Sequence, residues 1–449
     1  MYLISMAWRL FRKVSIESRA QKLRLFLQSG GLASLKLGQQ LSIRVDALPS
    51  VYCKELEKLL DQIPPLLLQT TLYILEESYG RRLDEIFQAF DPEPIGSASI
   101  ACVYQAYLMN GKQVAVKVVR PHLKQHVDAD LKIMIFFAKV AEWLGVIREG
   151  SASRFMHELK VMLLEELDLR IEARYTEILH RDVKKMDFKK ITAPKLYHEL
   201  CNERVMVSEF CHGVFLSESL IAKEASDRKK LKKLLHQGYD LKKIADTLAQ
   251  FFYWEIFEAD FFHADPHAAN IIVRPNNKLT LIDFGSCGTL SGRFRRKVQD
   301  SFETMLTGDF AAMVRNSLTL SEPIPPIDTK AFIDSLVPHV TDWYFSVRSK
   351  RTHWTQKTTG SMYLKGVREL GNFGINASAE MVRYIRATML HDTIIFRLYE
   401  EYEPLEAYQK FVRKNTKRKA EQIIKNRKKN KSRGQALQKL EHLTIEMPL

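Results

Sequence analysis

Residues 262–285 read FHADPHAANIIVRPNNKLTLIDFG and determine how the rest of the chain is interpreted. Asp265 and Asn270 lie five residues apart on a loop, and Asp283 follows at the end of a later strand. Phosphoryl-transfer sites use this spacing, with one Asp near the attacking oxygen and an Asn and a second Asp on the metal ions that bridge the phosphates. Each short motif is common by itself, but the ordered set predicts a phosphoryl-transfer site.

The length and composition limit the class of protein. The chain has 449 residues, 46% hydrophobic and 27% charged, so we expect two or three compact units. It contains no apolar run of about 18 residues, and its N-terminus has apolar residues before basic ones, the reverse of a secretory signal. Five scattered cysteines disfavour a disulfide framework and a zinc site. These features predict a cytoplasmic protein.

The positive charge is concentrated near the C-terminal end. The net charge is +15, and Lys410–Gly434 holds twelve Lys or Arg against the single acid Glu421, a local balance of +11. We interpret this run as a solvated basic tail, or alternatively as a surface for anionic lipid. A specific nucleic-acid partner is not expected, because no aromatic residues are interleaved with the charges.

The order of the patterns predicts an α+β fold. Four helical patterns precede any strand, two strands then meet across the hairpin turn Asn110-Gly111, and residues 154–180 are predicted as one helix. Helical periodicity is continuous from residue 292 to about 399. The predicted units are a helical extension over 1–90, a strand-containing lobe over 91–210, a helical lobe over 211–405 and the basic tail over 406–449.

Lys117 lies in the predicted strand VAVKVV. Strand periodicity places it opposite Val116 and Val118, from where an ammonium group can neutralise nucleotide phosphates. An edge-strand lysine that prevents aggregation is the competing interpretation. Because the Asp265 motif follows downstream, we assign Lys117 to the catalytic and nucleotide-binding groups.

Such a lysine is expected to have a carboxylate partner on a nearby helix. On an ideal helix Glu165, Asp168 and Glu172 share one face. A solvated acidic stripe is the alternative for any one of them. We favour Glu172 as the partner of Lys117.

Two further segments are unusual. After Pro94, the loop expected over the phosphates reads PIGSAS, with one glycine where kinases repeat glycines, so its backbone has less conformational freedom. In SLKLGQQL, Lys36 and Gln39 are one helical turn apart, and Gly38 permits a close helix contact. Taken alone, this second segment is an ordinary amphipathic helix.

The residues of the main loop have distinct expected roles. Asp265 would orient an attacking hydroxyl or water, while Asn270 and Asp283 would hold Mg²⁺. His263 is predicted to order the loop by hydrogen bonding. His267 is either an additional polar contact or a packed side chain. A zinc site at the two histidines is disfavoured, because a proline between them opposes the helix that such a pair requires.

Together these residues resemble the UbiB family of atypical, protein-kinase-like proteins. The similarity covers about residues 25–290 and includes KLGQ, PIGSAS, VAVK, the acidic segment ending at Glu172, HADPHAAN and IDFG. The resemblance implies a two-lobed protein-kinase-like fold with N-terminal helices packed over the cleft and a helical C-terminal lobe. It also implies ATP and Mg²⁺ as cofactors, ATPase activity, and partners among lipid-biosynthesis proteins at an anionic membrane surface.

The resemblance assigns further residues. It implies that Lys36, as a catalytic group, reaches the nucleotide pocket near Glu166, and that Ala98 lies over the phosphates. We place Ser99 and Gln39 in the same nucleotide-binding set.

Periodicity and the family motif disagree at one position, and the chain departs from the family pattern at three others. Helical periodicity selects Glu165 where the motif selects Glu166, and we follow the motif, which requires a distorted helix there. Ala268-Ala269 replaces the family's Pro-Gly pair, and Cys102 falls where the family has a Gly-Gln or Ala-Gln pair. A basic tail stands where some relatives have an apolar membrane segment, so stable membrane integration is not expected.

The predicted function is an atypical kinase-like, ATP- and Mg²⁺-dependent ATPase that supports ubiquinone or other isoprenoid-lipid metabolism. The predicted location is the cytoplasm, with peripheral contact with the membrane as an alternative. A small-molecule phosphotransferase has similar loops but no use for a lysine at position 36. A non-catalytic, nucleotide-sensing scaffold is the third interpretation. The sequence does not predict the oligomeric state.

Overall fold

The computed structural model describes residues 15–42, 49–56, 58–59, 64–143, 151–185, 190–259, 261–321, 324–375 and 377–418. These residues form N-terminal helices, a smaller lobe built on a four-stranded sheet, and a larger, mostly helical lobe. This is the two-lobed α+β arrangement that the sequence predicts.

The N-terminal extension packs onto the smaller lobe. Its described helices are α1 (Ile16–Ser29), α2 (Gly31–Ser42) and α3 (Ser50–Leu56). Gly31 has φ +81°, a left-handed conformation that lets α2 start directly after α1. Gly38 allows close packing, because a Cβ there would lie 2.3 Å from Leu59 Cδ1. Leu32 and Ala33 of α2 belong to a hydrophobic cluster of the smaller lobe, so the extension and the lobe share a core.

The smaller lobe is centred on an antiparallel sheet in the order β1-β2-β3-β5. Its elements are α4 (Leu68–Tyr79), β1 (Phe87–Ser97), β2 (Ala101–Leu108), β3 (Gln113–Val119), α5 (Leu123–Trp143), α6 (Ser151–Glu166), α7 (Leu169–Lys185) and β5 (Val205–Glu209). Between α7 and β5, β4 (Ile191–Thr192) pairs with a strand of the larger lobe. On β3, Val116 and Val118 are fully buried, and Lys117 points to the opposite face. Lys117 pairs with Val103 on β2 and Met206 on β5, so the edge-strand interpretation of this lysine is wrong.

Strand β1 is not predicted by the sequence pattern. The predicted boundary between the helical extension and the strand-containing lobe, at residues 90 and 91, lies inside this strand. Its pairing with β2 shifts register between Phe90 and Pro94 and again before Gly96. Prolines are tolerated because β1 is an edge strand with irregular pairing. The chain therefore turns at 98–100, and four of the six residues of the predicted PIGSAS loop are strand.

The single helix predicted over 154–180 is two helices, α6 and α7. Asp168 lies between them, and its carboxylate accepts the backbone N–H of Arg170 at 3.0 Å. An Asp at this position caps the first turn of a new helix, which explains the break. The shared helical face predicted for Glu165, Asp168 and Glu172 is therefore wrong.

The larger lobe is built around one buried helix. Its elements are β6 (Val214–Phe215), α8 (Leu216–Glu224), α9 (Arg228–His236), α10 (Leu241–Phe257), β7 (Phe262–His263), β8 (Ile271–Arg274), β9 (Lys278–Leu281), β10 (Cys287–Gly288), α11 (Gly292–Thr307), α12 (Phe310–Leu318), α13 (Thr329–Arg348), α14 (Trp354–Lys357), α15 (Gly360–Asn372) and α16 (Ala379–Leu398). Residues 251–256 of α10 are all buried, as expected of a core helix. The β8–β9 hairpin forms a sheet in the order β4-β9-β8-β6, and β7 pairs with β10.

The predicted basic tail begins inside this lobe. Residues 404–418 are helical, and Tyr408 and Phe411 are buried in the core. Arg418 forms an ion pair with Glu258 at the end of α10. The predicted boundary at 406 therefore falls within a packed helix. Residues 419–449, with the rest of the basic run, lie outside the described residues.

We predict that Tyr408→Ala lowers the free energy of unfolding by about 3–5 kcal/mol, because a fully buried aromatic ring is removed. The ring contacts Tyr253 and Phe302, with centroids 5.5 and 4.9 Å away. Urea unfolding followed by tryptophan fluorescence measures the change. Lys410→Ala, at an exposed site of the same helix, is the control and should stay within about 0.5 kcal/mol of wild type. Equal effects of the two substitutions would contradict the packing of this helix.

Candidate active site between the two lobes

Lys117 joins carboxylates from both lobes. Its Nζ lies 2.7 and 2.8 Å from the two carboxylate oxygens of Glu172 and 3.4 Å from Asp283 Oδ2. Glu172 is 4% exposed and lies in the first turn of α7, whereas Asp283 follows β9 of the larger lobe. The structure thus brings together the lysine and both acids that the sequence assigned to the site. We call these three residues the Lys117 cluster.

Burial and charge act in opposite directions on the pKa values of the Lys117 cluster. Burial alone lowers the pKa of Lys117, but the charges of Asp283 and Glu172 outweigh it and raise that pKa above its ordinary value. Burial raises the pKa of Glu172 in spite of Lys117. For Asp283, burial is outweighed by Lys117 and by the N–H of Gly285, so its pKa falls. Lys117 and Asp283 are therefore both charged at neutral pH.

The backbone after Asp283 is held against the same cluster. The N–H of Phe284 donates to Glu172 Oε1 at 3.4 Å, and the N–H of Gly285 donates to Asp283 Oδ1 at 2.8 Å. A Cβ at position 285 would lie 3.2 Å from Asp283 Oδ1 and 3.8 Å from Glu172 Oε2. A side chain there would crowd the Asp283 carboxylate and come into van der Waals contact with Glu172, which favours the glycine of IDFG.

His263 links Asp283 to the loop that carries Asp265. Its Nε2–H donates to the backbone oxygen of Asp283 at 2.7 Å, and its Nδ1 accepts the N–H of Asp265 at 3.2 Å. These two bonds place the imidazole proton on Nε2. His263 therefore has the hydrogen-bonding role predicted from the sequence. Because both ring nitrogens are engaged, the arrangement does not support a zinc site.

Asn270 lies beside Asp283 across the β8–β9 hairpin. Its backbone oxygen accepts the N–H of Ile282, one residue before Asp283, at 3.0 Å. The side chain of His267 is exposed, and its Nδ1 accepts the N–H of Ala269 in the short turn before Asn270. The two alanines that replace the family's Pro-Gly pair thus still form a closed turn.

Asp265 has a partner that the sequence did not reveal. Its Oδ2 accepts a hydrogen bond from Arg386 Nη2 at 2.8 Å. Arg386 belongs to α16, 121 residues further along the chain, and no motif in that helix marks it. The arginine restrains the carboxylate that the sequence assigns to catalysis.

Lys36 of the N-terminal extension contacts Glu166. The Nζ–Oε2 distance is 3.0 Å, and both side chains are largely buried. Glu166 ends α6 and Glu172 begins α7, so the break between these helices directs two acids to two different lysines. Gln39 lies one turn after Lys36 on α2 and is partly buried, while Glu165 is exposed.

Arg120 fixes the turn between β1 and β2. Its guanidinium donates to the Ala98 backbone oxygen at 3.0 Å and to Ser97 Oγ at 2.9 Å. Ala98 is exposed, whereas Ser99 is buried, and its Oγ has no hydrogen-bond partner among the described residues. The turn that the resemblance places over the phosphates is therefore held in one position.

A buried acid lies beneath the loop. Glu255 on α10 is 2% exposed and accepts the N–H of His263 at 3.1 Å, and its other oxygen lies 3.4 Å from His391 Nε2 on α16. Burial raises the pKa of Glu255 to about 8 and lowers the pKa of His391 to about 3, so both are mainly neutral at pH 7. A single Glu within an apolar helix gives no spacing signal in a sequence.

The fold and this site define a protein-kinase-like protein, with a strand lysine, its helix acid and the two motif loops in one place. A model of the ABC1 atypical kinase-like domain matches residues 58–317, more than half of the chain. The chain belongs to this atypical kinase-like family, and the resemblance to UbiB proteins is confirmed.

Curated relatives named probable protein kinase UbiB show the same similarity. The chain is 36% identical over 300 residues to the protein of Azotobacter vinelandii, covering 65% of this chain and 52% of the relative. It is 32% identical over 314 residues to that of Vibrio cholerae, covering 69% and 55%. The chain thus spans about half the length of these relatives.

A solved structure shares the fold. The Mycobacterium tuberculosis protein Rv3197, determined in complex with erythromycin, has a TM-score of 0.56 and 21% identity. The match covers 88% of this chain and 94% of that one. At this identity the similarity is one of fold alone.

We predict that Glu255→Gln changes how stability depends on pH. In the unfolded chain the carboxyl titrates near its ordinary pKa of 4.5, and in the folded protein near 8. Between these values the folded state binds the extra proton, so this contribution is lost as the pH rises, by up to about 1.4 kcal/mol per pH unit. Gln keeps an acceptor for His263 but does not titrate, so the variant should gain stability relative to wild type from pH 5 to 8.

Urea unfolding at several pH values measures this difference. Glu165→Gln, which removes an exposed carboxyl, is the control and should follow wild type. A constant difference between Glu255→Gln and wild type across this range would show that the buried carboxyl does not titrate in it.

Proposed function

We propose that the protein binds ATP with Mg²⁺ between its lobes and hydrolyses it as an atypical kinase-like ATPase. The observation that carries this proposal is the Lys117 cluster, in which one charged lysine contacts Glu172 of α7 and Asp283 after β9. Phosphoryl-transfer sites of the kinase class require a lysine for the phosphates, a helix acid that positions it and an Asp for the metal.

The residues present fit a nucleotide with Mg²⁺. Asp283 would hold the metal together with Asn270, and its side chain is 39% exposed. Among the described residues, no group of three or more His, Cys, Asp or Glu is placed to hold a metal by itself. Mg²⁺ commonly takes its remaining ligands from phosphates and water, so two protein ligands are sufficient. Bound Mg²⁺ would neutralise charge on the phosphates, and the unpartnered hydroxyl of Ser99 would offer them a donor.

The other assigned residues would act around this centre. Asp265 would orient the attacking hydroxyl or water, with His263 fixing its backbone and Arg386 its carboxylate. Lys36 would supply a second cation from the extension, held by Glu166. That contact favours the ATPase over a small-molecule phosphotransferase, which would not need a lysine there.

We also propose that the activity supports ubiquinone or other isoprenoid-lipid metabolism at a membrane surface, as the similarity to UbiB proteins suggests. No described helix combines the length and apolar character needed to cross a bilayer. Helix α5 instead carries an exposed apolar stripe of Ile133, Phe136, Phe137 and Trp143. An exposed apolar stripe of this kind, together with the basic run beyond residue 418, favours peripheral contact with anionic lipid.

Two isosteric substitutions separate metal binding from turnover. Asp283→Asn should remove most of the Mg²⁺ dependence of ATP binding, because the metal loses its charged ligand. Asp265→Asn should bind Mg-ATP within about threefold of wild type but hydrolyse it about a hundredfold or more slowly, because the group that orients the nucleophile is lost. Calorimetry with and without Mg²⁺ measures binding, and phosphate release measures turnover.

Glu165→Gln is the matched control and should leave both quantities unchanged. Failure of the wild-type protein to bind Mg-ATP at millimolar concentration would refute the proposal. Binding without hydrolysis would indicate a nucleotide-sensing scaffold. Phosphate transfer to a small polar acceptor, unaffected by Lys36→Ala, would indicate a small-molecule phosphotransferase.

Removal of residues 419–449 should weaken binding to anionic vesicles at least tenfold, because seven Lys or Arg of the basic run are lost. Truncation after Arg418 keeps the buried Tyr408 and Phe411 in place. Cosedimentation with phosphatidylglycerol vesicles at low and high salt measures this, with neutral vesicles as the control. Equal binding of the truncated and full chains would exclude a role for this segment.

A further inference from the structure

An apolar cavity of about 120 Å³ lies among the helices of the larger lobe. Its wall includes Phe252 of α10, Val298 of α11, Leu336 of α13 and Val367 of α15, and no residue assigned above to the nucleotide site lines it. An apolar cavity of about 150 Å³ can stay dry and accommodate a molecule such as benzene. A cavity of about 120 Å³ is somewhat smaller, so it has room for about five or six non-hydrogen atoms.

One acceptor in this apolar wall has no partner. Asp392 of α16 lines the cavity and is 9% exposed. Its Oδ2 accepts hydrogen bonds from the backbone N–H of Thr359, at 2.6 Å, and from the Thr359 hydroxyl. Its Oδ1 is buried and has no hydrogen-bond partner within the part of the chain that the structure describes. A buried acceptor left without a donor costs about 1–3 kcal/mol, which a ligand donor would recover.

The cavity is also accessible. It is not fully enclosed, and two residues of its wall, His339 and Gly366, are partly exposed. A small molecule can therefore reach the wall without unfolding the lobe.

We propose that this cavity binds a small hydrophobic alcohol, whose hydrocarbon fills the apolar wall and whose hydroxyl donates to Asp392 Oδ1. The size of the cavity limits the hydrocarbon, and the single unpartnered oxygen selects one donor group. The site is separate from the nucleotide site, so it does not depend on the function proposed above, and its test measures binding directly.

The test compares two probes of equal size, pentan-1-ol and butyl methyl ether. The ether accepts hydrogen bonds but cannot donate one. Burial raises the pKa of Asp392 to about 7, so binding is measured at pH 8.5, where the carboxylate only accepts. In calorimetry or ligand-observed NMR, the full chain should bind the alcohol about tenfold more tightly than the ether, the value of one buried hydrogen bond.

Asp392→Asn should abolish this preference. The amide oxygen can still accept from Thr359, and the amide nitrogen then presents a donor to the cavity, which both probes can accept. Equal binding of alcohol and ether to the wild-type protein would overturn the proposal, because the oxygen is then satisfied by water. A preference that persists in Asp392→Asn would also overturn it.

A second variant fills the cavity. Gly366 lies on α15 in the wall, and a Cβ added there meets no atom within 4 Å, so Gly366→Leu should fold and reduce pentanol affinity at least tenfold. Gly292→Leu, at the start of α11 and outside the wall, is the matched control, since a Cβ there also meets nothing within 4 Å. Equal loss of affinity in the two glycine variants, or no loss in either, would show that pentanol binds elsewhere. If Gly366→Leu does not fold, the comparison with Asp392→Asn decides the question alone.

Discussion

The contact of Lys117 with Glu172 and Asp283 is the interaction on which the arrangement of the two lobes depends. The lysine extends from a central strand of the smaller lobe, and only Asp283 belongs to the larger lobe. Lys117 and Glu172 are both largely buried, and removing one of them leaves the other charge without compensation, at a cost of about 3–5 kcal/mol. The relative position of the lobes at this point is therefore coupled to the charge state of one lysine.

The break between α6 and α7 allows two acids of the smaller lobe to pair with two different lysines. A continuous helix would place Glu166 and Glu172 on different sides, because six residues correspond to about 1.7 turns. With Asp168 as a cap, the chain changes direction between them, and each acid meets its own lysine. The N-terminal extension is thereby tied to α6, the helix directly before the one that carries Glu172.

Local features of the site were predictable from the sequence, and distant ones were not. The strand of Lys117, the hairpin after Asn270 and the motif residues follow from short-range patterns, and the family resemblance supplied Glu166. Arg386 and Glu255 were missed, because their roles depend on which helices pack beneath the loop. Strand β1 was missed because its two prolines read as a break, although an edge strand accommodates them. All three were missed for the same reason, because tertiary contacts determine these roles and a local sequence pattern does not show which elements pack together.

Helix α16 contacts both the loop that carries Asp265 and the apolar cavity. Within seven residues it presents Arg386 to Asp265, His391 to Glu255, and Asp392 to the interior of the lobe. A helix moves largely as a rigid body, so a displacement of α16 along its axis would change its contact with the Asp265 loop and the shape of the cavity wall together.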